Sequence, residues 1–204
     1  MAGELLAAHR AGDHTVVVAA AQSAGRGRFR RKWVSHHGNL YASFIYACDE
    51  RDARISYAVA IAVADTLLSF GITPTIKWPN DILVDNKKIS GILIEYYGRF
   101  AIVGIGINIA TNPTVDEYKT TKMNKYITTN VPDVLARLMR YLDKWLKSDF
   151  ATVRSRWMSM ATGLNTRVKY RGATAELIGI NENGALVLRC GTRYVLAYGD
   201  EVMI

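Results

Sequence analysis

Residues 76–109 read IKWPNDILVDNKKISGILIEYYGRFAIVGIGINI, and three strand-like runs crowd into them: Ile76 to Val84, Ile89 to Tyr96 and Phe100 to Ile109. Only Asp85-Asn86 separates the first two, and the neighbourhood of Gly98 the last two; both breaks suit tight turns between strands. Pro79 interrupts the first run after Trp78, so Asn80-Asp81 is expected at a bend where side chains project toward a ligand. Lys88 opens the next run. Strict alternation along a strand puts Lys88 and Ser90 on one face, with Ile89 and Gly91 on the other. A glycine inside a strand, here Gly91, marks a place where another backbone or a ligand comes close.

Upstream, Gln22 to Trp33 reads QSAGRGRFRRKW, with five cations between Arg26 and Lys32, two glycines and no acid. Such a segment repels itself and is expected to be a loop that settles when an anion arrives. Arginine forks match carboxylate and phosphate oxygens in pairs, and glycine lets backbone N–H groups approach them. The net charge of +8 also points to anionic partners. Its densest cluster is one short loop, which suits a compact anion better than a nucleic-acid track.

Outward from these clusters, residues 2–10 read as a helix, Thr15 to Ala21 as a buried strand and Leu40 to Tyr46 as another. Ile55, Val59, Ala62, Val63, Thr66, Leu67 and Phe70 recur at helical spacing, with Gly71 as the stop. Asn112 to Thr129 is polar and without period, a long loop. Helices follow from about Pro132 and from about Ser148. After Gly163, short strands punctuated by Gly172, Asn183-Gly184, Gly191 and Gly199 predict a small β-barrel that leans on the larger domain. The expected division is 1–162 and 163–204. Cys48 and Cys190 read as reduced thiols of a cytoplasmic protein, and no apolar run approaches membrane-spanning length.

The basic GRGR loop, the KWPND bend and K-x-x-G-I-L-I-E together resemble the biotin protein ligase (biotin–[acetyl-CoA carboxylase] ligase) family. The likeness extends through Gly38-Asn39-Leu40-Tyr41-Ala42-Ser43 and through Gly104-Ile-Gly-Ile-Asn108, in the family's order and spacing. It implies an α+β fold like class II aminoacyl-tRNA synthetases, a mixed, mostly antiparallel sheet flanked by helices, followed by an SH3-like barrel. It also implies two half-reactions: biotin's carboxylate attacks the α-phosphate of ATP, and a carrier-domain lysine then takes biotin from biotinyl-5′-AMP.

By that resemblance Arg26 and Arg28 lie on the loop that folds over the adenylate, and Lys88 sits beside the carboxylate and α-phosphate oxygens. Gln22 and Gly25 contact biotin, while Tyr41, Gly91 and Gly106 border its pocket. Trp33 packs against adenine, Asn108 reads the adenine side and Arg31 assists the departing pyrophosphate. Asp81 orients or deprotonates the attacking lysine, or binds Mg²⁺ carried on the phosphates. The catalytic set is thus Lys88, Arg28 and Asp81. The expected partner is a biotin carboxyl carrier domain, and the resemblance allows a homodimer.

Two departures stand out. The family's Ser-Thr-Asn stretch before the first helix is absent from these 204 residues, which is expected to weaken binding of biotin's ureido ring. Phe29-Arg30 replaces the family's frequent Arg-Gly, which is expected to stiffen the loop. Nothing before Thr15 has room for a helix-turn-helix, so specific DNA binding is not expected. Lipoate–protein ligase, or a weakly active adenylate binder, is the alternative. No Walker, G-x-G-x-x-G, zinc or Ser-His-Asp pattern is present, and His36-His37 reads as loop.

Overall fold

A computed structural model describes residues 1–8, 10–48, 52–198 and 202–203. Its larger sheet runs β1 (Thr15–Ala19), β2 (Leu40–Ala47), β6 (Phe100–Ile107), β5 (Lys87–Tyr97), β4 (Asp81–Val84) and β3 (Thr75–Lys77) in spatial order. Every ladder in it is antiparallel. Parallel contacts are single bridges, Ile76 to Ala161 and Lys88 to Thr120. The turn residues behave as their chemistry requires. Asp85 and Asn86 both take positive φ in the two-residue β4–β5 turn, and Gly98 does so between β5 and β6. Pro79 splits the predicted first run into β3 and β4, and strand β1 stops at Ala19, short of the expected Ala21.

The sheet is unequal on its two faces. One carries Leu40, Ala42, Phe44, Val103, Ile105, Ile107 and Ile92, all buried under the helices. Helix α2 (Ile55–Ser69) packs there and is buried nearly all round, because α3 (Val131–Leu146) and α4 (Phe150–Met160) cover its outer side. Asn130 and Asp149 cap α3 and α4 through Asp133 N–H and Thr152 N–H. At one end of the other face α1 (Ala2–Ala7) sets Ala2 and Leu6 against Ile45 and Ile102. The predicted helix over 2–10 is shorter than expected, and His9 lies outside the described residues.

The smaller sheet has the order β10 (Arg193–Ala197), β9 (Leu186–Cys190), β8 (Ala173–Ile180), β7 (Arg167–Tyr170) and β11 (Val202–Met203). Leu177, Ile180, Leu186 and Leu188 belong to the same core as α2 and α4, so this sheet leans on the larger one. Tyr57 Oη donates to Gly184 O at 2.8 Å and Arg154 Nε to Ile180 O at 2.5 Å across the junction. The expected turn at Gly199 lies outside the described residues. Cys48 and Cys190 form no disulfide. Among the described residues no helix is long and apolar enough to cross a membrane.

Candidate active site

One row of residues crosses the whole large sheet on the face that the helices α2 to α4 leave free: Ala19, Tyr41, Gly106, Gly91, Asp81 and Lys77, each paired with the next. Directly paired residues point to the same side, so two adjacent glycines strip side chains from the middle of the row. The result is a bare backbone floor with Tyr41 at one side and Asp81 at the other.

Lys88 reaches this floor through an irregularity. The β4–β5 register shifts between Ile82, opposite Ser90, and Leu83, opposite Lys88, which leaves Ile89 as the extra residue of a bulge. Strict alternation therefore fails, and the expected pairing of Lys88 with Ser90 on one face is corrected. Lys88 shares the side of Gly91, whose added Cβ would stand 3.3 Å from Lys88 Cε, while Ile89 and Ser90 are fully buried. Lys88 Nζ lies 2.6 Å from Asp81 Oδ1, with the Lys88 side chain only 13% exposed. The ring centroids of Trp33 and Tyr118 are 5.3 and 5.0 Å from the same ammonium.

The basic segment roofs the floor as a small hairpin. Gln22 bridges to Ser35 and Arg26 to Lys32, with Trp33 N–H donating to Gly25 O and Gly27 N–H to Arg31 O. Acceptors on the sheet meet two of its five cations, and one of those acceptors is a carboxylate. Arg26 Nη2 donates to Glu95 Oε2 at 2.9 Å, and Arg28 Nη1 lies 3.5 Å from Asn80 Oδ1. Burial pulls the Arg28 pKa down while nearby Asp81 pulls it up. At the tip Phe29 and Arg30 hold φ of 56° and 58°, the left-handed region that costs a non-glycine residue about 1–2 kcal/mol. The Phe29-Arg30 departure thus places two side chains where glycine is at ease.

Trp33 lies on the returning arm of the hairpin. Its indole covers the glycine floor: an added Cβ would stand 2.7 Å from the ring at Gly106 and 2.9 Å at Gly91. Its Nε1 is buried without a partner among the described residues. Gln22 Oε1 accepts from Ser35 Oγ at 2.7 Å, and Gly25 fits tightly under Trp33 O. Tyr41 Oη donates to His36 O at 2.8 Å, and burial raises its pKa.

Gln22, Arg26, Arg28, Arg31, Trp33, Tyr41, Asp81, Lys88, Gly91 and Gly106 all line one cleft of about 870 Å³. Gly25 and Asn108 do not line it. Asn108 is buried behind it, donating to Thr121 O at 3.0 Å, with its Oδ1 unpartnered among the described residues. Tyr118 lines the cleft without having been singled out from the sequence. It sits in an aperiodic polar stretch, where no spacing distinguishes it from its neighbours. Glu95 was read as the end of a motif, and its pairing with Arg26 had no signal in the chain.

A family model described as the biotin/lipoate A/B protein ligase family matches residues 6–112. The bifunctional ligase/repressor BirA of Bacillus subtilis is 33% identical over 222 residues, covering 97% of this chain and 68% of that protein. The biotin–[acetyl-CoA-carboxylase] ligase of Paracoccus denitrificans is 32% identical, covering 85% of this chain and 83% of that protein. A solved structure of the biotin protein ligase from Aquifex aeolicus, in complex with biotin and ATP, matches with a TM-score of 0.81 at 28% identity. It covers 95% of this chain and 89% of that one.

Proposed function

The chain belongs to the biotin/lipoate A/B protein ligase family, and we propose that it is a biotin protein ligase, an ATP-dependent enzyme that biotinylates a lysine of a biotin carboxyl carrier protein. A carboxylate oxygen of biotin bonds to the α-phosphorus of ATP, and the bond to the β-phosphate oxygen breaks with release of pyrophosphate. The carrier lysine's amine nitrogen then bonds to the acyl carbon, AMP leaves with the electron pair of the anhydride oxygen, and the amine gives up a proton.

The observation that carries this reading is Lys88 poised at the Gly91 end of the floor beside Asp81, under an arginine-bearing hairpin. Two anions must meet there, so fixed cations have to offset both their repulsion and the charge that grows on phosphorus. Lys88 and Arg28 do so from the sheet side and the roof side. As Lys88 turns its ammonium toward the anhydride, Asp81 is released to orient or deprotonate the carrier's lysine. Gln22 and Tyr41 border biotin, and Arg26 and Arg31 serve the phosphates once Arg26 leaves Glu95. Gly25 shapes the hairpin, and Asn108 supports the adenine side from behind the cleft.

Magnesium belongs to the substrate in this scheme. Among the described residues no three carboxylate, histidine or cysteine side chains converge on a metal position, and the one carboxylate at the centre is paired with Lys88. A cation held mostly by phosphates and water needs little more from the protein, so no step is routed through it. The free edge of β1 is where a homodimer by sheet extension would form. We assign the ligase activity to the cytoplasm and assign no DNA-binding role to these residues.

The test is pyrophosphate release from ATP with biotin or lipoate as the acid. Biotin should support release and lipoate none; the reverse would overturn the assignment. Lys88→Gln should lower the biotin-dependent rate by about 10²–10³-fold, the scale of losing one preorganised transition-state group.

A further inference from the structure

The polar stretch between β6 and α3 passes close beside Lys88. Lys88 N–H donates to Lys119 O at 2.9 Å, and Thr121 N–H donates to Lys88 O at 2.9 Å, so residues 119–121 lie as a short parallel strap along the start of β5. Thr120 is held in turn by Asn112 and Pro113, and Thr121 by Asn108. The strap sets the Tyr118 ring 5.0 Å from Lys88 Nζ.

We infer that Tyr118 is a positioning residue for Lys88: its ring face holds the ammonium at the Gly91 end of the floor without neutralising it. A lysine side chain has four rotatable bonds, and its ammonium otherwise follows the strongest anion in reach. Asp81, at 2.6 Å, is that anion, and it draws Lys88 away from the substrate's oxygens as much as it fixes it. An aromatic face attracts a cation through its quadrupole but carries no net charge, so it restrains the ammonium while leaving its charge for the reacting phosphate. The Trp33 ring is at a similar distance, yet it hangs from the roof hairpin. Tyr118, by contrast, directly precedes Lys119, whose carbonyl is bonded to the backbone of β5 itself.

This inference rests on the ligase reading, and the experiment separates the two. Wild-type protein is first assayed for biotin-dependent pyrophosphate release; absence of release overturns the function, not the role of Tyr118. Given activity, Tyr118 is replaced by phenylalanine and by mono-, di- and trifluorophenylalanine, which keep the ring's shape while draining its face of negative charge. Phenylalanine should retain kcat within about twofold, and kcat should fall stepwise along the fluorinated series by up to about fivefold, as expected for losing about 1 kcal/mol of cation attraction. KM for ATP and biotin should stay level, and melting temperature unchanged. A flat kcat across the series overturns the inference, as does a change confined to the KM for ATP, which would make Tyr118 a nucleotide contact. Tyr118→Leu should match the most fluorinated variant in kcat and keep its far-ultraviolet circular dichroism.

Discussion

The two segments that enclose Lys88 are fastened in opposite ways. The basic hairpin, residues 22–35, meets the sheet through side chains: Arg26 on exposed Glu95, Arg28 near Asn80 and the Trp33 indole on two glycines. The strap at 119–121 meets it through the backbone of Lys88 on both sides, backed by buried Asn108. Exposed ion pairs contribute about 0–1 kcal/mol, whereas leaving a buried polar group unsatisfied costs about 1–3 kcal/mol. The hairpin's polar ties can therefore part at small cost, which leaves the Trp33 indole as its main anchor, while the strap holds the Lys88 backbone still. A site that must admit two substrates and a protein lysine in turn needs both behaviours.

The largest test of this contrast strikes the floor that the hairpin rests on. Gly106→Ala places a methyl 2.7 Å from the Trp33 ring, so the indole must leave. Biotin-dependent turnover should drop by more than tenfold and stability by about 1–3 kcal/mol, the usual price of overpacking. Trp33-centred fluorescence should report an exposed indole; an unchanged spectrum would mean the indole does not rest on the floor in solution.

A smaller effect is expected at the root of the strap. Asn108→Ala removes the donor to Thr121 O and should lower stability by about 1–3 kcal/mol. The KM for ATP should rise only modestly, because Asn108 stands behind the cleft. A large rise in that KM with no loss of stability would place Asn108 against adenine instead, and would make the strap less firmly held than the hairpin contrast requires.

The smallest effect concerns the hairpin tip. Arg30→Gly relieves one of two left-handed residues and should change stability by no more than about 1 kcal/mol, since relief of strain is offset by glycine's freedom in the unfolded chain. Its readout is the rate of the fluorescence change on adding biotin and ATP, which should increase. An unchanged rate would show that opening of the hairpin is limited elsewhere, at Arg26–Glu95 or at the indole.

The turns at Asp85-Asn86 and Gly98, the break at Pro79 and the buried α2 were all legible, because each depends on local φ preference or on apolar spacing within a few residues. The charged clusters around Arg28, Asp81 and Lys88 were legible for a related reason: anion chemistry restricts residue types enough to mark them in the chain. Tyr118 and Glu95 were not, since each acts on a partner far along the sequence and nothing in its own neighbourhood changes with that role. The Lys88 face was misjudged for the same cause. A bulge is a property of two paired strands, and β5 by itself shows only alternation.

By itself, then, the amino-acid sequence determined the fold class, the sites of the turns and the kind of chemistry, because these follow from short-range propensity and from charge. Tertiary structure decided which way Lys88 points, that the Trp33 indole lies on the glycine floor and that Tyr118 stands beside the ammonium. Those outcomes depend on register between strands and on contacts between distant segments, which only the folded chain brings within reach.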